Sequence, residues 1–240
     1  MSCTSSAKCW IDMKHLPISL TPFERNWGIR YLLFQLIFLP SLLMSLLSRL
    51  SLSLNSAHIN IIFFTLNFLA TAIIFRQFWS LSLRHFLNNS LKILVIAAVG
   101  LLVYWCLALG VSALTPHLFP QFVNQNDASI ISASRQNVLL MTIGTVVLVP
   151  PVEEVLYRGL VFGLLHRYNR VLAYALSTFL FAAIHVTLSI NGFDPVFLLV
   201  SLAQYLPAGL VLAAAYELSG SIVAPIFIHM VVNAVGMISL

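Results

Sequence analysis

The sequence predicts an all-α protein, a polytopic transmembrane bundle of about seven to eight helices. The 240 residues are 60% hydrophobic and only 8% charged, with a mean hydropathy of +0.97, whereas a soluble domain carries about 25% charged residues. Apolar runs that approach the roughly 20 residues needed to cross a bilayer recur along the chain. The alternation typical of a membrane β-barrel is missing, so the spans are expected to be helices, which satisfy their own backbone hydrogen bonds in lipid.

The formal charge of +5 does not indicate a nucleic-acid partner. In a membrane protein, Lys and Arg mark the loops that stay in the cytoplasm. Such residues flank the first predicted span at Arg25 and Arg30 and recur in residues 76–92 and 158–170. This distribution predicts a multi-pass integral membrane protein with a cytoplasmic N-terminus and the lipid bilayer as its surroundings.

Residues 1–26 are polar and are interpreted as a cytoplasmic N-terminal segment. Residues 27–136 are predicted to hold the N-terminal transmembrane helices, with a kink at Pro40 because proline disrupts a helix interior. Two stretches of this half, residues 76–92 and 116–134, are interpreted as a basic loop and a polar loop. The predicted spans of this half are residues 27–47, 59–74 and 94–114.

Residues 137–240 are predicted to form the second half of the bundle, which carries the polar motifs. The fourth span begins near Asn137, and a break or kink is expected at Pro150-Pro151 because proline lacks a backbone donor and disfavours helix before it. A turn is expected at residues 191–195. The remaining spans are predicted at residues 172–190, 196–216 and 219–240.

Three charged residues follow the proline pair in Glu153-Glu154-Val-Leu-Tyr-Arg158. A charge near the bilayer centre costs at least about 2.5–3.5 kcal/mol, so three together call for an explanation. Glu154 and Arg158 are spaced i, i+4 and can pair on one helix face. Glu153 points about 100° away from Glu154 and is left without an obvious local partner, so it could serve as a general base.

Two later spans carry further polar groups at membrane depth, in Phe181-Ala-Ala-Ile-His185 and His229-Met-Val-Val-Asn233. The i, i+4 spacing places the two named residues of each motif on one helix face. Three facing helices could therefore bring a carboxylate, two imidazoles and an amide into one pocket. These groups can activate water and stabilise an oxyanion, as amide hydrolysis requires.

Other interpretations of the same residues stay open. Glu154–Arg158 could be only a structural pair, and His185 could be an interhelical hydrogen-bonding residue. A proton-coupled transporter could use Glu153 and both histidines as a relay, and an immunity or scaffold protein could keep the fold without activity. His166 and Glu217 are interpreted as interfacial residues. Phe181 is expected to pack against the site.

The three motifs, E-E-x-x-x-R, F-x-x-x-H and H-x-x-x-N in this order, resemble those of the CAAX protease and bacteriocin-processing (CPBP, or Abi) family of intramembrane proteases. The matching residues are Glu153-Glu154-Val-Leu-Tyr-Arg158, Phe181 to His185 and His229 to Asn233. The resemblance covers about residues 138–240, and every motif position is filled. It implies an intramembrane endopeptidase.

The resemblance also implies roles for individual residues. Glu153 and His185 would hold and activate the water, His229 and Asn233 would stabilise the tetrahedral oxyanion, and Glu154 and Arg158 would support the geometry. Family members have been described both as metalloproteases and as metal-independent glutamate proteases. Two histidines and one carboxylate suffice for catalytic zinc, which here would be held by Glu153, His185 and His229. No H-E-x-x-H motif is present, so a site without a cofactor is favoured.

The substrate that the resemblance implies is a membrane-anchored peptide or protein, either a prenylated CAAX protein or a leader or bacteriocin precursor. The compact form of the chain resembles bacterial members of the family, which implies the plasma membrane. With the N-terminus in the cytoplasm, Glu153 is expected near the cytoplasmic end of its span, so that substrates enter from that side or laterally from lipid.

Overall fold

The computed structural model describes residues 16–50, 53–186 and 194–239. These residues form ten helices and no strand, so the all-α prediction is confirmed. The helices are α1 (Pro22–Ile37), α2 (Leu39–Arg49), α3 (Ser56–Ile74), α4 (Arg76–Asn88), α5 (Ser90–Leu118), α6 (Gln125–Gln136), α7 (Val138–His166), α8 (Arg170–His185), α9 (Pro195–Ser219) and α10 (Val223–Ile238).

Helices α3, α5, α7 and α9 are long and apolar enough to cross a membrane. Helices α1 and α2 meet at an angle of 57° and make a fifth candidate when counted as one bent span. The bend lies at Phe38, directly before α2, which carries Pro40 in its first turn. Helices α8 and α10 are apolar but shorter, with 16 residues each. The chain is therefore an integral membrane protein, and the seven predicted apolar segments correspond to these elements.

Of the break or kink predicted at Pro150-Pro151, the break is wrong, because α7 runs through both prolines as one 29-residue helix. A π-helical stretch, Ile143–Leu148, lies just before them, and the Val149 N–H reaches back to the Gly144 carbonyl. The wider turn continues the helix into the prolines without a break. Because α7 extends to His166, Glu153 lies near the midpoint of this helix.

Two predicted loops are largely helical. The basic stretch 76–92 contains α4, and the polar stretch 116–134 contains most of α6. Hydropathy identifies apolar runs only, so short polar helices escape it. The predicted turn at 191–195 lies outside the described residues except for its end, where the Asp194 carboxylate caps α9 by accepting the Val196 and Phe197 N–H groups.

The main hydrophobic core surrounds the middle of α7, whose side chains from Val155 to Leu160 are almost completely buried. Helices α8 and α9 pack closely on each other, and α10 packs against α5, α7 and α9. The helices that carry the three motifs therefore face one another in the centre of the bundle.

Helices α8 and α9 lie close together at Gly209. A Cβ atom at this position would lie 2.5 Å from Thr178 Cγ2 and 3.1 Å from Thr178 Cα. We expect Gly209→Ala to lower the free energy of unfolding by about 1–3 kcal/mol, because the two helices must move apart. The measurement is unfolding of purified protein in detergent. Gly110→Ala is the matched control, since a Cβ there meets no atom within 4 Å; equal stability of the two variants would contradict the expectation.

Candidate active site

Both glutamates lie in an α-helical turn of α7, Val149–Glu154, between two π-helical stretches. The first stretch is Ile143–Leu148 and the second is Val155–Phe162. Single π-type turns within α-helices occur frequently at functional sites because they redirect side chains and free backbone groups. Here they flank the two carboxylates on both sides.

The Glu154–Arg158 pair is completely buried. Arg158 Nη1 donates to Glu154 Oε1 at 3.0 Å, and neither side chain is exposed to solvent. Arg158 also donates from Nη2 to the Gly209 carbonyl at 3.2 Å and lies over the Phe181 ring at 4.2 Å. The predicted pair is therefore confirmed, and it joins α7 to α8 and α9. Removing either partner of such a buried ion pair would leave the other charge buried and uncompensated, which destabilises the fold.

Glu154 has a second partner that the sequence does not reveal. Its Oε1 atom lies 2.9 Å from Nδ1 of His229, whose side chain is almost fully buried. Because the ionised carboxylate can only accept a hydrogen bond, His229 Nδ1 carries the hydrogen. Glu154 thus fixes the orientation of the His229 ring and leaves its Nε2 directed towards Glu153.

His185 is oriented in the same manner by a backbone group. Its Nδ1 lies 2.8 Å from the Phe181 carbonyl oxygen, one turn earlier in α8. A carbonyl only accepts, so Nδ1 is the donor and Nε2 of the neutral ring holds the lone pair. The Phe181 ring packs against both imidazoles, with ring centroids 4.8 Å from His185 and 5.7 Å from His229.

Glu153 lies between the two imidazoles. Its Oε2 atom is 3.9 Å from Nε2 of His185 and 3.9 Å from Nε2 of His229. This oxygen is buried and has no hydrogen-bond partner among the described residues. If a water oxygen lay about 2.8 Å from both Glu153 Oε2 and His185 Nε2, the angle between these two atoms at the oxygen would be about 90°. This is close to the bond angle of water. The spacing therefore suits one shared water better than a direct contact.

Asn233 is held by a carbonyl that the proline pair makes available. In a π-helical turn, an N–H bonds to the carbonyl five residues earlier, as the Val149 N–H does to the Gly144 carbonyl. The next residue, Pro150, has no N–H, so the Thr145 carbonyl is left without this partner. Asn233 Nδ2 donates to that carbonyl at 2.7 Å. The second hydrogen of the Asn233 amide is not used by this bond.

A pocket of about 70 Å³ adjoins these groups. It is large enough for water, and apolar and aromatic side chains make up most of its wall. His185, His229 and Asn233 all line it, so the structure brings these predicted site residues together. The remaining lining residues are Tyr104, Phe181, Tyr205, Ala208, Leu212, Ile228 and Val232.

The proposed zinc ligands do not match a zinc site. Atoms that bind tetrahedral zinc lie about 2.0–2.1 Å from the metal and hence about 3.4 Å from one another. The distances from Glu153 to the two imidazoles are longer, at 3.9 Å. Among the described residues, no group of three His, Cys, Asp or Glu side chains is arranged to hold a metal ion. None of the steps below is therefore assigned to a metal.

A second polar cluster lies outside the pocket. The buried Glu217 carboxylate contacts His166 at 2.7 Å, Arg170 at 2.8 Å and the Tyr174 hydroxyl at 2.6 Å. It joins the end of α7 to α8 and α9. His166 and Glu217 were expected at the membrane–water interface. The spacing of these residues in the sequence gave no indication that they meet in one cluster.

Sequence reasoning also missed Thr145, Gly209 and Tyr205. The position of Thr145, five residues before a proline, could have indicated a free carbonyl if the π-helical turn had been foreseen. Gly209 follows an alanine in a helix, a weak sign of close packing. Tyr205 stacks on His185 at a centroid distance of 4.4 Å, and its sequence context gives no indication of this contact.

Comparison with known proteins identifies one family. The model of the Rce1-like family, type II CAAX prenyl endopeptidases, matches residues 135–235. No curated protein and no solved structure matches the chain. The matched region contains all three motifs and favours a peptidase over the transporter interpretation. Residues 135–235 are therefore similar to the Rce1-like CAAX endopeptidases, and they include the motifs that resemble those of the CPBP family.

Proposed function

We propose that this protein hydrolyses a peptide bond near the prenylated C-terminus of a CAAX-type, membrane-anchored substrate by a metal-independent glutamate mechanism. The observation that supports this most strongly is the position of Glu153 Oε2. This atom is buried, has no hydrogen-bond partner among the described residues and lies 3.9 Å from Nε2 of both His185 and His229. The match of residues 135–235 to the Rce1-like family model supports the endopeptidase class. The reaction consumes one water and produces a new carboxylate and a new amine.

In the attack step, one water donates its two hydrogens to Glu153 Oε2 and to His185 Nε2. Both acceptors are free for this, since Glu153 Oε2 has no partner among the described residues and His185 donates only through Nδ1. Glu153 takes one proton as the water oxygen attacks the carbonyl carbon. The same proton then passes to the leaving nitrogen as the tetrahedral intermediate collapses. General base catalysis of this kind contributes about 10²–10⁴-fold to a rate.

The oxyanion is stabilised by His229 and Asn233 on α10. Asn233 offers the amide hydrogen that Thr145 does not use. His229 donates from Nε2 only when both ring nitrogens carry hydrogens, because Nδ1 already donates to Glu154. Carboxylates adjoin both ends of this ring, Glu154 at Nδ1 and Glu153 at Nε2. A preorganised donor stabilises the negative oxygen of the transition state.

The pocket also supports the proposed substrate class. Most of its wall is apolar or aromatic, with Tyr104, Leu212 and Val232 among the lining residues. Such a wall suits the aliphatic side chains of a CAAX sequence. Two of the helices that line it, α5 and α9, are long and apolar enough to cross a bilayer, where a prenyl group anchors its protein.

The test is cleavage of synthetic C-terminal CAAX peptides by purified protein in lipid vesicles, with product termini read by mass spectrometry. We expect cleavage of a farnesylated peptide, slower cleavage of the same peptide without the lipid, and unchanged rates in the presence of a zinc chelator. Loss of activity in chelator that zinc restores would overturn the metal-independent mechanism. Cleavage of a leader-type peptide but of neither CAAX peptide would overturn the substrate class.

A further inference from the structure

We propose that Tyr205 is a positioning residue for His185. We propose also that Asn124, which lies outside the three motifs, holds the Tyr205 side chain in place. This inference rests on the proposed function. The Tyr205 and His185 rings stack with centroids 4.4 Å apart and an angle of 27° between their planes. Both side chains are half-buried and line the same pocket. The contact joins α9 to the end of α8.

His185 needs this support because of where it lies. It is the last residue of α8, and the final turn of a helix is held less firmly than its middle. Its own helix supplies two constraints, the bond from Nδ1 to the Phe181 carbonyl and the tilted Phe181 ring. Both follow α8 when its end moves. The Tyr205 stack, by contrast, ties the imidazole to a different helix.

Tyr205 is in turn fixed at its hydroxyl. That oxygen lies 3.1 Å from Nδ2 and 3.2 Å from Oδ1 of Asn124. The same Nδ2 atom donates to Gln204 at 2.7 Å, and Asn124 Oδ1 caps α6 by accepting the Asn126 and Asp127 N–H groups. Asn124 therefore ties the start of α6 to α9. A series of contacts therefore runs from the α6 cap at Asn124 through Tyr205 to the His185 imidazole.

Removing the Tyr205 ring should lower turnover with little effect on substrate binding. In Tyr205→Leu, kcat is expected to fall about tenfold to a hundredfold, because a displaced catalytic group loses its alignment with the reacting atoms. KM should stay close to the wild-type value. Tyr205→Phe keeps the stacked ring but loses the hydroxyl that contacts Asn124, so its kcat should lie between those of the wild type and Tyr205→Leu. Tyr168→Leu, at an exposed tyrosine after α7, is the matched control with wild-type kinetics.

The assay is the CAAX peptide cleavage described above, with thermal unfolding of each variant measured in parallel. Tyr205→Leu with wild-type kcat would overturn the positioning role and leave the proposed function intact. A rise in KM alone would make Tyr205 a substrate-binding residue instead. If the wild type cleaves no peptide, the proposed function fails, and the stack is tested by chemistry that does not depend on turnover. His185 should then react severalfold faster with diethylpyrocarbonate in Tyr205→Leu than in Tyr205→Phe; equal rates would overturn the inference.

Discussion

Replacing Glu153 by glutamine should abolish most cleavage of the CAAX peptide, lowering kcat by about 10²–10⁴-fold. The amide has nearly the same shape as the carboxylate but cannot take a proton from water. Its nitrogen would also place hydrogens towards the two imidazole Nε2 atoms, each now 3.9 Å from Glu153 Oε2. Stability should change little, since this oxygen forms no hydrogen bond among the described residues.

Glu217→Gln provides the matched control for that variant. Glu217 is also a buried carboxylate, but its partners are His166, Arg170 and Tyr174, which do not line the pocket. Its variant should keep wild-type kcat even if its melting temperature falls. Glu153→Gln that retains full activity, or Glu217→Gln that loses it at unchanged stability, would contradict the assignment of the general base.

Replacing Arg158 by methionine should destabilise the bundle by about 3–5 kcal/mol, because the variant leaves the Glu154 charge buried without its cation. Both side chains are completely buried, and the arginine also donates to the Gly209 carbonyl of α9. Unfolding in detergent at several denaturant concentrations measures the loss. Activity should fall as well, since Glu154 would lose its orientation towards His229.

The double variant Glu154→Gln, Arg158→Met distinguishes the effect of lost packing from the effect of an uncompensated buried charge. Removing both charges should recover much of the stability, because neither ion is then left alone. Activity should stay low, since His229 loses the carboxylate 2.9 Å from its Nδ1. Recovery of full activity in the double variant would show that Glu154 has no role at His229.

Local spacing was enough to predict part of the site. The pairing of Glu154 with Arg158 follows from four residues of separation on one helix, and the structure contains that bond. The shared faces of Phe181 with His185 and of His229 with Asn233 follow from the same rule, and all four line one pocket.

Contacts between helices could not be predicted in this way. Which glutamate meets His229 depends on how α7 and α10 cross, and no spacing within one helix contains this information. The error at Pro150-Pro151 has a local cause: the missing proline N–H was expected to break the helix, whereas the π-helical turn before it keeps α7 continuous and leaves the Thr145 carbonyl for Asn233. The role proposed for Tyr205 likewise depends on the packing of α8 against α9.

The central claim is that Glu153 and His185 hold the attacking water between them. An experimental structure of the protein in lipid, at a resolution that shows ordered water, measures this most directly. We expect one water within hydrogen-bonding distance of both Glu153 Oε2 and His185 Nε2, with His229 Nε2 beside it. A Glu153 side chain turned towards lipid, or a metal ion bound by Glu153, His185 and His229, would contradict the account.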